Sequence, residues 1–237
     1  ALRRLTEPLI DLHCAVLMMI TTTLDLKRVY IGDEGLEIVL SVCATALPQL
    51  KQLLLANTLH PCGGLATGTK TLAAACANGH LPNLNLLQFN NNGIGDAGLT
   101  DLANALAGGA TPHLVTLLLE DNQIGDAGCT ALAGAFSKGA LPKLGEVWLS
   151  RNKIGDDGIK NLATAWAGGA TPRLKTLLLD TNNIGDGGIT GLADAFVKGA
   201  LPELFLLDLN MNQVGDKGFK DLADACMHRG LFVRANT

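Results

Sequence analysis

The chain has 237 residues, a formal net charge of −4, and charged residues at 17% of the total. A nucleic-acid backbone is bound by clustered Lys and Arg, so this charge balance argues against nucleic acid as a partner. The longest uninterrupted apolar run, 15–20, is far too short to cross a bilayer, so the sequence predicts no transmembrane segment.

A fixed repeat dominates the sequence. The stretch 81–110 recurs with variation from residues 111, 141, 171 and 201, which gives five regular copies with a period of 30 over 81–230. A fixed period of this size is the signature of a solenoid, in which each copy buries its apolar face against the next copy. We therefore predict one solenoid domain over 1–237.

Less regular segments flank the five copies. Residues 1–17 have apolar residues at helical spacing after Pro8 and predict an N-terminal capping helix. Two degenerate repeats fill 18–80, and the second carries an insertion around 59–63 that is expected to bulge between its strand and its helix. The tail, 231–237, does not resemble another copy. The last layer is therefore covered by the tail, by more of a longer protein, or by a neighbouring subunit.

Each regular copy begins with the pattern of a short strand. In the first copy, Leu84, Leu87 and Phe89 have the spacing L-x-x-L-x-L, which places Leu87 and Phe89 on one face of the strand. Asn92 follows, and Asn recurs at this place in all five copies. Its amide can bond backbone groups that have no ladder partner, so stacked Asn residues are expected to serve successive coils.

The second half of each copy predicts a helix. Asp96 lies in the I-G-D-x-G turn that precedes it, and we expect this carboxylate to cap the helix that follows. Leu99, Leu102 and Leu106 then give the helix one apolar face. Parallel strands would line one side of the stack and helices the other, and the wider helices force the stack to curve with the strands inside.

The pattern L-x-x-L-x-L-x-x-N-x-I-G-D-x-G-x-x-x-L-A resembles the leucine-rich repeat of the ribonuclease-inhibitor type over about 18–230. The resemblance implies an α/β horseshoe of about seven repeats, with parallel strands on the concave side and helices on the convex side. Members of the family bind proteins, as in ribonuclease inhibitors, the sensor regions of nucleotide-binding immune receptors, the C-terminal part of tropomodulins and a Ran GTPase-activating protein. A protein-binding role is therefore the expectation for this chain.

The candidate binding residues lie on the concave strand face. Leu118, Trp148 and Leu178 fall between the two strand leucines of consecutive copies and predict an apolar stripe with a central Trp, as in a binding hot spot. The alternative is that strand-forming residues simply fill these positions, or that another part of the chain covers them. Polar and charged residues border the stripe and complete the candidate set: Glu120, Glu146, Ser150, Arg151, Asp180 and Asp208. This border favours a protein partner that offers apolar and basic groups.

Two other sequence patterns resemble a phosphate-binding loop and a zinc site but lack the residue spacing that these sites require. The Gly-rich stretch 63–71 differs from a phosphate-binding loop because Thr69 separates Gly68 from Lys70, and Gly68 aligns with Gly98 of the ordinary repeat. His60, Cys62 and His80 are too few and too loosely spaced for a structural zinc site. The sequence therefore predicts no catalytic residue, no metal and no cofactor.

The cysteines indicate a reducing compartment. Cys43, Cys76 and Cys226 take the helix position of Leu106, and Cys129 takes that of Leu99. Cys in place of large apolar residues predicts buried, reduced thiols, which favours an intracellular location, in the cytoplasm or in an organelle after processing.

The sequence thus predicts a non-enzymatic interaction or scaffold module that binds a protein on its concave strands. Two alternatives remain open. The chain could be a structural subunit docked in a larger assembly by its edges or convex helices, with a partner at its C-terminal end. It could also regulate a small GTPase, because one member of the resembled family does so, although no residue here carries that activity over.

Overall fold

The computed structural model describes residues 20–58, 66–109, 111–227 and 229–235, and within them strands and helices alternate. The strands are β1 Thr23–Asp25, β2 Gln52–Leu54, β3 Leu86–Gln88, β4 Thr116–Leu118, β5 Glu146–Trp148, β6 Thr176–Leu178, β7 Leu206–Asp208 and β8 Phe232–Arg234. The helices are α1 Gly32–Ala46, α2 Ala66–Ala77, α3 Asp96–Ala107, α4 Asp126–Ser137, α5 Asp156–Ala167, α6 Asp186–Val197 and α7 Asp216–Cys226.

The strands form one parallel sheet in chain order, β1 to β8. The middle residue of each regular strand faces the helices, and Leu87 and Phe89 are both fully buried, as their spacing predicts. Each helix packs against the helices of the neighbouring repeats, with Leu99, Leu102 and Leu106 buried in α3. The structure confirms the predicted α/β solenoid, with strands on one side and helices on the other.

The recurring Asn residues form the expected ladder between coils. The Nδ2 group of Asn152 donates to the carbonyl oxygens of Leu119 and Leu149 at 3.1 and 2.9 Å, and its Oδ1 accepts from the Ile124 amide at 3.0 Å. Asn182 repeats these contacts one coil later. Each Asn thus bonds backbone groups of its own coil and of the preceding coil, which have no strand partner.

The turn aspartates cap a different helix from the predicted one. Asp126 is the first residue of α4, but it does not cap that helix; the amides at the start of α4, Gly125 and Gly128, donate to Asp96 of the preceding repeat. Oδ1 of Asp126 instead accepts from the backbone amides of Gly155 and Gly158, at 2.7 and 2.9 Å. These amides lie at the start of α5 in the next repeat. The sequence prediction was wrong about the target because stacking brings the neighbouring helix start within reach.

This contact also explains the second glycine of the I-G-D-x-G turn. A Cβ atom at Gly158 would lie 2.7 Å from the Asp126 carboxylate oxygen and 3.1 Å from the Asp126 Cα. Real Cβ atoms do not approach an oxygen so closely, and the nearby Asp126 backbone cannot move away as a side chain could. Any side chain at Gly158 would push the two repeats apart.

The tail adds a strand to the last layer. Residues Phe232–Arg234 form β8, which pairs with β7 in parallel, so the sheet has one more strand than the predicted repeats supply. Leu207, Leu209 and Leu222 of that layer are buried. Of the three alternatives for the last layer, the structure shows the tail on the sheet side, while Phe219 and Cys226 on the helix side are only partly buried.

Two predicted features at the other end lie outside the described residues, namely the capping helix over 1–17 and the insertion around 59–63. The Gly-rich stretch 63–71 is described only from residue 66 onward. There Gly68 is the third residue of α2, as Gly98 is the third residue of α3. This part of the stretch therefore follows the ordinary repeat.

Candidate protein-binding face

The predicted stripe is continuous on the sheet. Strand pairing places Leu118 directly beside Trp148, and Trp148 directly beside Leu178. These residues belong to the strand face, which is the surface formed by the first and third residues of each strand. The three side chains therefore form one row across β4, β5 and β6.

The stripe is less exposed than the sequence suggests. Leu118 is only 8% exposed, and Trp148 and Leu178 are partly buried, so the stripe is the floor of the face and not a raised ridge. The Nε1 atom of Trp148 is buried without a hydrogen-bond partner among the described residues. The Nε1 atom of the core residue Trp166 is unpaired in the same way, so an unpaired indole nitrogen does not by itself mark a binding residue.

Acidic and polar side chains line the ends of the strands beyond the stripe. Asn90 donates to Glu120, and Ser150 donates to Asp180, so two pairs span neighbouring coils. Burial raises the pKa of Glu120; the hydrogen bond from Asn90 lowers it, while the negative charge of nearby Asp180 raises it further. The Ser150 hydroxyl is buried and already donates its hydrogen bond to Asp180.

Two of the predicted border residues are paired within the chain. Arg151 is exposed and lies 3.7 Å from Asp121 in an ion pair. Asp208 is only 7% exposed and lies 3.7 Å from Arg234 of the tail strand. The sequence does not predict this pairing, because it follows from the tail adding a strand beside β7. Asp208 therefore presents little free negative charge to a partner.

Glu146 lies on the other side of the stripe, as the first residue of β5. It is partly buried and neighbours Thr116 and Thr176 on the adjacent strands. Beside Glu146 a cavity of about 440 Å³ opens toward the ends where the strands begin. Its lining includes Val115, Lys143, Gly145, Arg173 and Lys175, none of which the sequence analysis singled out.

The other predicted chemistry is either buried or outside the described residues. Cys43, Cys76 and Cys129 are free and buried, and burial raises the pKa of Cys43 to about 11 and of Cys76 to about 12. Within the described ranges, no three His, Cys, Asp or Glu residues gather as a metal site would require. His60 and Cys62 lie outside those ranges. Of the helices that the structure describes, none has the length and apolarity needed to cross a membrane.

Comparison with solved structures finds the same architecture. The actin-binding site 2 of leiomodin-1 matches with a TM-score of 0.50 and 15% identity, over 66% of this chain and 86% of that chain. The C-terminal domain of tropomodulin from Caenorhabditis elegans matches with a TM-score of 0.49 and 13% identity, over 66% of this chain and 92% of that one. At such low identity the likeness concerns the fold alone. No curated protein sequence matches the chain.

A family model described as "Leucine Rich repeat" matches four segments, 80–103, 111–133, 141–163 and 206–223. Apart from residue 80, all four fall within the predicted regular copies, and each includes the start of a helix. The remaining regular copy, which starts at residue 171, lies between the third and fourth segments and has the same strand, Asn and turn. In its repeats, its fold and this match, the chain is a leucine-rich repeat protein.

Proposed function

We propose that the protein is a non-enzymatic interaction module that binds a protein partner on its strand face. The observation that supports this most is the row of Leu118, Trp148 and Leu178 across three adjacent strands. An apolar row with a central Trp and a polar border has the composition of an interface core with its rim.

A solved structure with a similar fold is consistent with a protein-binding role but does not identify the partner. That structure is itself described as an actin-binding site. Because that likeness extends to the fold only, it supports a protein-binding role and does not identify actin as the partner here. We further propose a reducing intracellular compartment, on the basis of the free buried thiols of Cys43, Cys76 and Cys129.

Substitution of Trp148 by Glu tests the proposal. The tagged protein captures its partner from cells of its own source, and the partner is identified and then titrated in purified form. We expect Trp148→Glu to weaken binding by about 2 kcal/mol or more, or roughly 30-fold, as for other hot-spot aromatics. Trp148→Phe keeps an aromatic ring and is expected to retain most of the affinity.

Thr164→Glu is the matched control, because it adds the same charge at an exposed position of α5 on the helix side. Urea unfolding of each variant verifies that the fold is intact. Equal partner recovery by wild type and Trp148→Glu would reject the strand face and favour docking by the edges or the convex helices. A GTP hydrolysis assay with a panel of small GTPases tests the remaining alternative, and an absence of stimulation closes it.

A further inference from the structure

A second charged surface lies along the ends where the strands begin. The cavity of about 440 Å³ beside Glu146 adjoins another of about 330 Å³, which reaches back to Lys51, and the two share Val115 and Lys143. Together they form a channel across several repeats. We call it the basic trough and define it by these lining residues: Lys51, His113, Lys143, Arg173 and Lys175.

The trough has positive charge available for a partner. Arg173 makes no ion pair with any described residue, and neither does Lys51. Nζ of Lys143 lies 2.8 Å from Nδ1 of His113, and Lys143 makes no ion pair with any described residue, so its charge is uncompensated. Only Lys175 is paired, with Glu203 at 3.7 Å, and both of these side chains are well exposed. An exposed pair of this kind exchanges readily for another carboxylate.

One part of the trough lies beside a single glycine, Gly145. The position directly before each strand holds Asn85, Val115, Gly145, Lys175 and Phe205 in the five regular copies. Side chains therefore occupy this position in the other regular copies, and Gly145 leaves a gap between Val115 and Lys175. The gap lies beside Glu146, at the start of the strand that carries Trp148. We call it the Gly145 notch.

We propose that the basic trough binds acidic side chains of a protein segment, and that the Gly145 notch receives one of its carboxylates. The proposal rests on the proposed function, because the same segment would place its apolar residues on Leu118, Trp148 and Leu178. A carboxylate suits the site because four cations face only two carboxylates there, Glu146 and Glu203. The partner segment is therefore amphipathic, with acidic residues toward the trough and basic residues toward Glu120 and Asp180.

The Gly145 notch can be filled without disturbing the fold. A Cβ atom at Gly145 would lie 3.6 Å from Cγ1 of Val115 and 3.7 Å from the Arg173 carbonyl oxygen, which are ordinary contacts. The backbone there is not in the left-handed region, and the preceding repeat already carries Val115 at this position. Gly145→Val is therefore a conservative change for the chain that closes the notch to a partner.

The probe is a short fluorescein-labelled peptide of alternating Leu and Glu, read by fluorescence anisotropy. Two otherwise identical peptides carry Gln or Lys in place of Glu. We expect the Glu peptide to bind best and to weaken as salt is added, because the contacts are exposed ion pairs. Gly145→Val should weaken it about fivefold, and Arg173→Glu about tenfold, since the latter adds repulsion.

Several results would overturn the proposal. One is equal binding of the Gln peptide, and another is undiminished binding of the Glu peptide to both variants. Failure of the Glu peptide to bind wild type counts equally against it. Tighter binding of a single-stranded oligonucleotide than of the Glu peptide would assign the trough to polyanions in general.

The experiment also separates this proposal from the proposed function. Trp148→Glu is tested with the same peptide and with the captured partner. Loss of partner binding in Trp148→Glu but not in Gly145→Val or Arg173→Glu leaves the strand face as the interface and rejects the trough. Loss of partner binding in Gly145→Val and Arg173→Glu but not in Trp148→Glu supports the trough and rejects the apolar stripe as the hot spot.

Discussion

Asn152 offers the sharpest test of what holds successive coils together. Replacement by Ala removes three donated hydrogen bonds, but each of those carbonyl oxygens keeps another donor. The Leu119 oxygen still accepts from Nδ2 of Asn122 at 2.9 Å, and the Leu149 oxygen still accepts from Nδ2 of Asn182 at 3.0 Å. The Ser150 oxygen still accepts from the backbone amide of Asp121 at 3.1 Å. Only the Ile124 amide, which donates to Asn152 Oδ1 at 3.0 Å, loses its acceptor.

The cost of Asn152→Ala therefore follows from one orphaned buried amide and not from four lost bonds. A buried donor without a partner costs about 1–3 kcal/mol, and the shared carbonyls add a fraction of a kcal/mol each. We expect the free energy of unfolding to fall by about 2–3 kcal/mol. Urea unfolding followed by circular dichroism measures this, and hydrogen exchange at the Ile124 amide reports the local loss.

Asn212→Ala is the matched comparison near the end of the stack. Asn212 makes the same contacts, including an accepted bond from the Ile184 amide at 3.1 Å, but it is more exposed than Asn152. Water can then replace part of the lost bonding, so the cost should be about half as large. A loss below about 0.5 kcal/mol in Asn152→Ala, or an equal loss at both positions, would refute the orphaned-amide reasoning.

Two further predictions concern the turns and the thiols. Asp126→Ala should lower the free energy of unfolding by about 1–2 kcal/mol because α5 loses its cap. Asp216→Ala, at the exposed equivalent in α7, should cost almost nothing because no helix follows it among the described residues; urea unfolding of both variants measures the difference. At pH 8 the native thiols of Cys43 and Cys76 should react with iodoacetamide far more slowly than in urea, because their raised pKa values keep them protonated and burial excludes the reagent; peptide mapping by mass spectrometry resolves each site, and fast labelling of Cys76 in the native state would contradict this.

The fold was predictable because its determinants recur. Leu87 and Phe89 could be assigned to the core from a spacing that returns at a fixed interval, and each recurrence repeats the same physical constraint. Asn92 and its equivalents were predictable for the same reason, since an amide at a tight turn has few other uses. In a solenoid, one correct repeat fixes the others.

The partner of Asp126 was not predictable from the same pattern. Sequence distance favours the helix that follows directly, and the register alone does not reveal that the next helix start lies closer to the carboxylate oxygen. The amides of Gly155 and Gly158 carry the partial positive charge of the α5 N-terminus, so the carboxylate is drawn to them across the repeat boundary. The I-G-D-x-G turn is therefore a contact between repeats as well as a connection within one.

The candidate site was predictable in its apolar row and not in its charges. Leu118, Trp148 and Leu178 share one repeat position and could be aligned, whereas the basic trough draws on two positions that vary between copies. The trough could have been found by comparing these two repeat positions in successive copies. One position holds His113, Lys143 and Arg173, and the other holds Lys51, Gly145 and Lys175.

This arrangement restricts how a partner can lie on the face. The basic trough follows the ends where the strands begin, and Glu120 and Asp180 follow the ends where the strands finish, with the apolar row between them. A segment that crosses the strands therefore meets positive charge on one flank and negative charge on the other. Turning the segment over about its own axis would set like charges against each other, which costs binding free energy on both flanks. For the proposed partner, charge would thus select one of the two ways of presenting its flanks, while contacts with the apolar row would contribute affinity in either.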